Sequence, residues 1–166
     1  MRAVGVGWGE HPWPTRIRRR DSCFRRIDVP GSPVDVGVVR RWVQGLLILH
    51  GVGSEVIEVA VLLVSELVAN AVVHSCSRHG EVTVLLKADR ERGRIRLDVI
   101  DDGPAVSVRA VHKNQEHEGG RGLLLVEELA DRWGCYPDED GTGVWFELES
   151  SWSTGCRMTV VGDARG

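Results

Sequence analysis

Ser65-Glu66-Leu67-Val68-Ala69-Asn70-Ala71-Val72-Val73-His74 is the stretch on which the reading of the fold turns. Glu66 and Asn70 are four residues apart, so on a helix they share one face, one turn from each other. They lie in the most apolar run of the chain, Val56 to Val73, which is interrupted by Glu58, Ser65, Glu66 and Asn70. Those interruptions favour a buried helix over a membrane span. A carboxylate in such a run costs free energy unless something pairs with it. Magnesium takes oxygen ligands and keeps several waters, so an Asn carbonyl oxygen with phosphate oxygens would suit it. A carboxylate one turn away can orient water or take a proton from a hydroxyl. Taken alone, the pair also fits a helix with two polar residues on its wet edge.

Working outward, Val34, Val38, Val39, Trp42, Val43, Leu46, Leu47 and Leu49 recur at helical spacing. This predicts a first helix ending near Leu49, with Ser54 capping the second. Cys23 to Val29 reads as a short edge strand ended by Pro30-Gly31-Ser32-Pro33. Glu81 to Ala88 and Arg94 to Ile100 alternate as a strand pair around an Asp-Arg-Glu-Arg-Gly loop. Leu123 to Leu129 predicts a third helix, and Trp133 to Tyr136 with Val144 to Leu148 a closing hairpin. Trp42, Trp133 and Trp145 fall on core-like positions. Helices do not alternate strictly with strands, so the order favours an α+β layer sandwich over a doubly wound fold. Residues 1–20 are expected as a disordered arm, 21–149 as the domain and 150–166 as a flexible tail.

The chain has 166 residues, enough for one domain with a real core. Its formal net charge of -3 gives no bulk positive field for DNA or anionic lipid, so neither nucleic acid nor membrane is expected as a direct partner. The 4 cysteines form no CxxC pair and no zinc-type cluster. They read as reduced thiols, and the expected location is cytoplasmic. The amino-terminal residues lack the pattern of a signal peptide.

Two further segments carry chemistry. In Val99-Ile100-Asp101-Asp102-Gly103-Pro104 a carboxylate stands at a strand exit, where it can accept a hydrogen bond from the exocyclic amine of adenine. Gly103 allows close approach of a ligand. Gly119-Gly120-Arg121-Gly122-Leu123 places glycines at a helix start, where backbone N–H groups favour phosphates and Arg121 can add a charge-assisted bond. It is neither a Walker loop nor a dinucleotide fingerprint. The intervening residues are too long and polar for a plain connection. A simple Asp-Gly turn and a flexible linker are the plain alternatives.

In order and spacing, these segments together with Gly141-Thr142-Gly143-Val144 resemble the histidine-kinase-like ATPase superfamily. Within it the chain is most similar to the single-domain anti-sigma-factor serine kinases of bacteria. The resemblance covers Phe24 to Leu148. It implies a two-layer α/β sandwich of Bergerat type, with a mixed, mostly antiparallel sheet covered on one face by helices. It implies ATP and Mg2+ as cofactors, with Asn70 on the metal and Glu66 as general base. Asp101 would read adenine directly and Thr142 partly through water, while Gly103 would let the purine approach. Gly120, Arg121 and Gly122 would hold the phosphates, and 104–119 would form the lid. The family's second glycine after the Asp-x-Gly turn is replaced by Ala105. The implied partners are a sigma factor and an anti-sigma antagonist, and a homodimer is expected. The function implied is protein serine/threonine kinase, with an ATP-responsive binding switch as the alternative. A sensor histidine kinase would need an upstream helical hairpin with a phospho-accepting His, which the segment before Glu66 does not offer.

Overall fold

The computed structural model describes residues 22–74, 80–102, 121–138 and 141–152. Eight elements follow in order: β1 (Ser22–Pro30), α1 (Pro33–Leu49), α2 (Ser54–His74), β2 (Glu81–Asp89), β3 (Arg94–Asp101), α3 (Arg121–Leu129), β4 (Arg132–Asp138) and β5 (Gly141–Glu149). The strands form one sheet in the order β1-β2-β3-β5-β4. Every pairing among them is antiparallel, so the described sheet has no parallel component. The fold is α+β, as expected. The arm at 1–20 and the lid at 104–119 lie outside the described residues.

Local chemistry explains where the helices begin. Pro33 opens α1 with its φ already helical, and the Asp35 carboxylate accepts hydrogen bonds from the Ser32 backbone N–H at 2.9 Å and Ser32 Oγ at 2.6 Å. At α2 the Ile57 N–H donates to the Gly53 carbonyl, so the capping position is Gly53, one residue before the expected Ser54. Within α1, Val39, Val43 and Leu47 recur every fourth residue and are fully buried. Within α2, Leu63, Val64 and Val68 are fully buried, with Ala60 letting the helix lie close to its neighbours.

Register sorts the sheet into two faces. Val84, Val99 and Val144 form one cross-strand row; Leu86, Leu97 and Phe146 form the next. These rows, with Val82, Ile95 and Trp133, face the helices and make the core. Burying each such side chain stabilises by roughly 1.5–3 kcal/mol. α2 is long and apolar enough over Ser54–Val73 to cross a membrane, but here it packs against α1, α3, β3 and β5. Trp133 and Trp42 take the expected core positions, fully or partly buried. Trp145 does not: its partner in register is Asp98, which puts it on the helix-free face. It stands out of phase with Val144, Phe146 and Leu148, so alternation puts it on the face opposite theirs. Ser150 to Trp152 continue past the expected boundary at 149, because Val52 bridges Trp152 and Arg90 lies 5.3 Å over the Trp152 ring.

His50, buried where α1 ends, carries a pH dependence. Burial first, then the positive charges of Arg25 and Arg90, hold its pKa below 6.5. The folded chain therefore prefers neutral His50. Its contribution is present above about pH 6.5 and lost as pH falls through that value toward the folded pKa. Melting temperature should fall between about pH 7.5 and about pH 5.5, and His50→Gln should flatten that fall. An equal fall in both proteins would assign it to other groups.

Candidate functional site

The site begins with α2. Glu66 and Asn70 lie one turn apart and are half-buried, between fully buried Val64 and Val68 on the other side of the helix. The ladder below fixes where they stand along the sheet. Val52, just before α2, bridges Trp152 beyond the far end of β5. The other end of α2 leads through residues 75–80 into β2, where Val82 is paired with Asp101. The helix rises ~1.5 Å per residue, so α2 spans the sheet and brings Asn70 to the end where β3 delivers Asp101.

At that end Asp101 is the register partner of Thr142, and both are on the helix face. Thr142 is buried and Asp101 half-buried. Gly141 makes the approach possible: a methyl group built on it would run into the Asp101 carbonyl and stand 2.9 Å from Asp102 Cα. The Asp101–Thr142 pair is therefore held by backbone against backbone. The sequence alone gives Gly141 no role of its own; its signal is a glycine at a strand start facing a strand exit.

The third part is the start of α3. A methyl group on Gly122 would stand 2.5 Å from Asn70 Nδ2 and 3.2 Å from Glu66 Cβ. The glycine-bearing first turn of α3 thus rests on the very pair that α2 presents. As the amino-terminal turn of a helix it carries N–H groups with no intrahelical acceptor and the positive end of the helix dipole. Arg121 is the first residue of α3, but its side chain lies outside the described residues, as do Gly103 and Gly120. Of the expected site residues, the structure brings Glu66, Asn70 and Gly122 together, and it pairs Asp101 with Thr142 at the same end of the sheet.

An Asp, Glu, His or Cys cage for a metal is absent among the described residues. The donors present are one amide and one carboxylate. That set fits magnesium held jointly by protein and phosphate, with water completing its shell, and does not fit a structural zinc.

Comparison with known proteins finds relatives of the chain. Residues 29–148 match the histidine kinase-like ATPase domain family. The serine-protein kinase RsbW of Bacillus licheniformis is 29% identical over 126 residues, covering 68% of this chain and 78% of that protein. RsbW of Staphylococcus epidermidis is 28% identical over 131 residues, covering 72% and 82%. The crystal structure of the RsbU and RsbW domains of Rv1364c from Mycobacterium tuberculosis superposes with a TM-score of 0.61 at 21% identity, covering 77% of this chain and 32% of that one. It shares the fold.

The two glycine contacts predict opposite outcomes. Gly141→Ala meets backbone, which cannot yield, so destabilisation should reach or exceed roughly 3 kcal/mol, the upper end of the usual overpacking range. Gly122→Ala meets the tip of Asn70, which can rotate away. It should melt close to the parent while the Asn70 side-chain amide resonances move. Comparable losses of stability in both variants would contradict these placements.

Proposed function

The chain belongs to the histidine kinase-like ATPase domain family, and on that premise we propose that it is an ATP-binding regulatory protein with serine/threonine kinase activity. Its substrate would be an anti-sigma antagonist, and it would sequester a sigma factor. The observation that carries the reading is the seat of Gly122 on Asn70 and Glu66, at the sheet end that also holds Asp101 and Thr142. A nucleotide laid across that end would place its base against β3 and β5 and its phosphates against α3. The RsbW relatives, named as serine-protein kinases, support the chemistry; the class of partner is the one that the family resemblance implies. A cytoplasmic location and a homodimer go with this reading.

Each residue then has a defined task. The Asp101 carboxylate accepts from the adenine amine, which a guanine, with a carbonyl there, does not offer. Thr142 presents a hydroxyl beside it. Backbone N–H groups around Gly120 and Gly122 take the phosphate oxygens, and Arg121 adds charge. Asn70 would hold magnesium, which when bound neutralises phosphate charge. Phosphoryl transfer depends mainly on such positioning. In the transfer itself the target hydroxyl oxygen bonds to the γ-phosphorus and its proton passes to Glu66. The bond to the bridging oxygen breaks and ADP leaves with its electrons.

Two measurements test this. The parent should bind ATP well above GTP in calorimetry, and Asp101→Asn should reduce that preference while the protein stays folded; equal affinity of the parent for both nucleotides would remove the adenine assignment. Glu66→Gln keeps shape but removes the basic oxygen, so ATP binding should persist while single-turnover transfer to the captured partner falls ~10²–10⁴-fold. A parent that captures its partner only with ATP and transfers nothing to it would be a binding switch. Full transfer by Glu66→Gln would leave the kinase without Glu66 as its base.

A further inference from the structure

The helix-free face of the sheet carries a group of side chains that the nucleotide site does not use. Tyr136 is the register partner of Gly143, and Trp145 is the register partner of Gly134. Each ring covers the glycine opposite. A methyl group on Gly143 would stand 2.7 and 2.8 Å from Tyr136 Cε2 and Cε1; one on Gly134 would stand 3.0 Å from Trp145 Cζ2 and Nε1. The two aromatic–glycine pairs are reciprocal across one hairpin. Arg96 stacks over the Trp145 ring at 4.1 Å. It also donates to both oxygens of Asp98, at 2.8 and 2.9 Å. The Asp98 side chain is fully buried. Asp98 and Asp138 both act on the Tyr136 phenol: burial first, then these two carboxylates, push its pKa well up, so it keeps its proton.

This assembly stands directly behind the adenine corner. Gly143 is the next residue after Thr142, and across the sheet it is paired with Ile100, the residue before Asp101. A glycine within a strand has no side chain to pack and loses more entropy on ordering than other residues. An aromatic ring laid on it from the neighbouring strand compensates. With glycine on both sides of Thr142, the corner depends on what covers those glycines. Gly141 is fixed by the Asp101 backbone, and Gly143 by the Tyr136 ring.

We propose that Tyr136 is a positioning residue for adenine recognition: from the opposite face of the sheet, its ring pins Gly143 and thereby fixes the Thr142–Asp101 pair. The Asp98–Arg96–Trp145 stack holds the ring in place. The inference rests on the ATP-binding reading above. It goes beyond that reading in assigning an effect on nucleotide selectivity to a residue on the far side of the sheet.

The test compares the full-length parent with Tyr136→Ala, Tyr136→Leu and Tyr136→Phe, using magnesium–ATP and magnesium–tripolyphosphate as probes. Tripolyphosphate engages the α3 end alone. Tyr136→Ala should weaken ATP about tenfold, the scale of one charged hydrogen bond, and leave tripolyphosphate binding unchanged. Tyr136→Phe keeps the ring and should restore ATP affinity to within about twofold of the parent. Amide exchange at Thr142 and Gly143 should quicken in Tyr136→Ala and not in Tyr136→Phe. Should the alanine variant fail to fold, Tyr136→Leu, which keeps bulk without a flat ring, carries the same expectation. Unchanged ATP affinity with a lowered melting temperature would overturn the proposal, as would a parallel loss of both probes. A parent that binds tripolyphosphate but not ATP would overturn the adenine reading and this inference together.

Discussion

The contact between Gly122 at the start of α3 and the Asn70–Glu66 pair on α2 is the interaction on which the geometry of the site depends. It seats the first turn of α3 so near the pair that a methyl group on Gly122 would stand 2.5 Å from Asn70 Nδ2 and 3.2 Å from Glu66 Cβ. Two conditions follow. α2 has to be anchored firmly, and its fully buried Val64 and Val68 do this from the opposite side. The sheet has to end beneath the same point, and the register Val82–Asp101–Thr142 does that. A polar pair in an otherwise apolar helix, costly if left in the core, is thereby placed at a junction open to charged ligands.

That junction was legible in the sequence because each of its parts has a short-range physical cause. Four-residue spacing puts Glu66 and Asn70 on one face whatever the fold. A carboxylate after alternating Ile95, Leu97 and Val99 announces a strand exit, and glycines before Leu123 announce a helix start. What escaped were the properties set by register. Trp145 has the size and apolarity of a core residue, yet it stands out of phase with Val144, Phe146 and Leu148, and it lies on the helix-free side against Gly134. Gly141 and Gly143 flank Thr142 in plain view, but their neighbours, Asp101 and Tyr136, become visible only with the ladder. The cap of α2 fell on Gly53 because the first helical hydrogen bond is accepted there.

The two faces of the sheet divide the work. The helix face carries the donors and acceptors a nucleotide would meet. The other face carries a charged and aromatic stack, Arg96 with Asp98 and Trp145, whose buried carboxylate is raised in pKa by desolvation and held down again by Arg96. Such a buried pair is weak as a source of net stability, since desolvation offsets much of the attraction. Its directional bonds do fix the orientation of the neighbouring rings. This explains why a pair of glycines can stand in the middle of a site that has to be rigid.

The most direct test of the account is an amide and side-chain NMR titration of the full-length protein with ATP and magnesium. The account predicts that the resonances of Asn70, Asp101, Gly122 and Thr142 move together with a single dissociation constant, and that GTP does not reproduce the shifts at Asp101 and Thr142. Shifts confined to other parts of the surface, or an identical pattern with GTP, would contradict it.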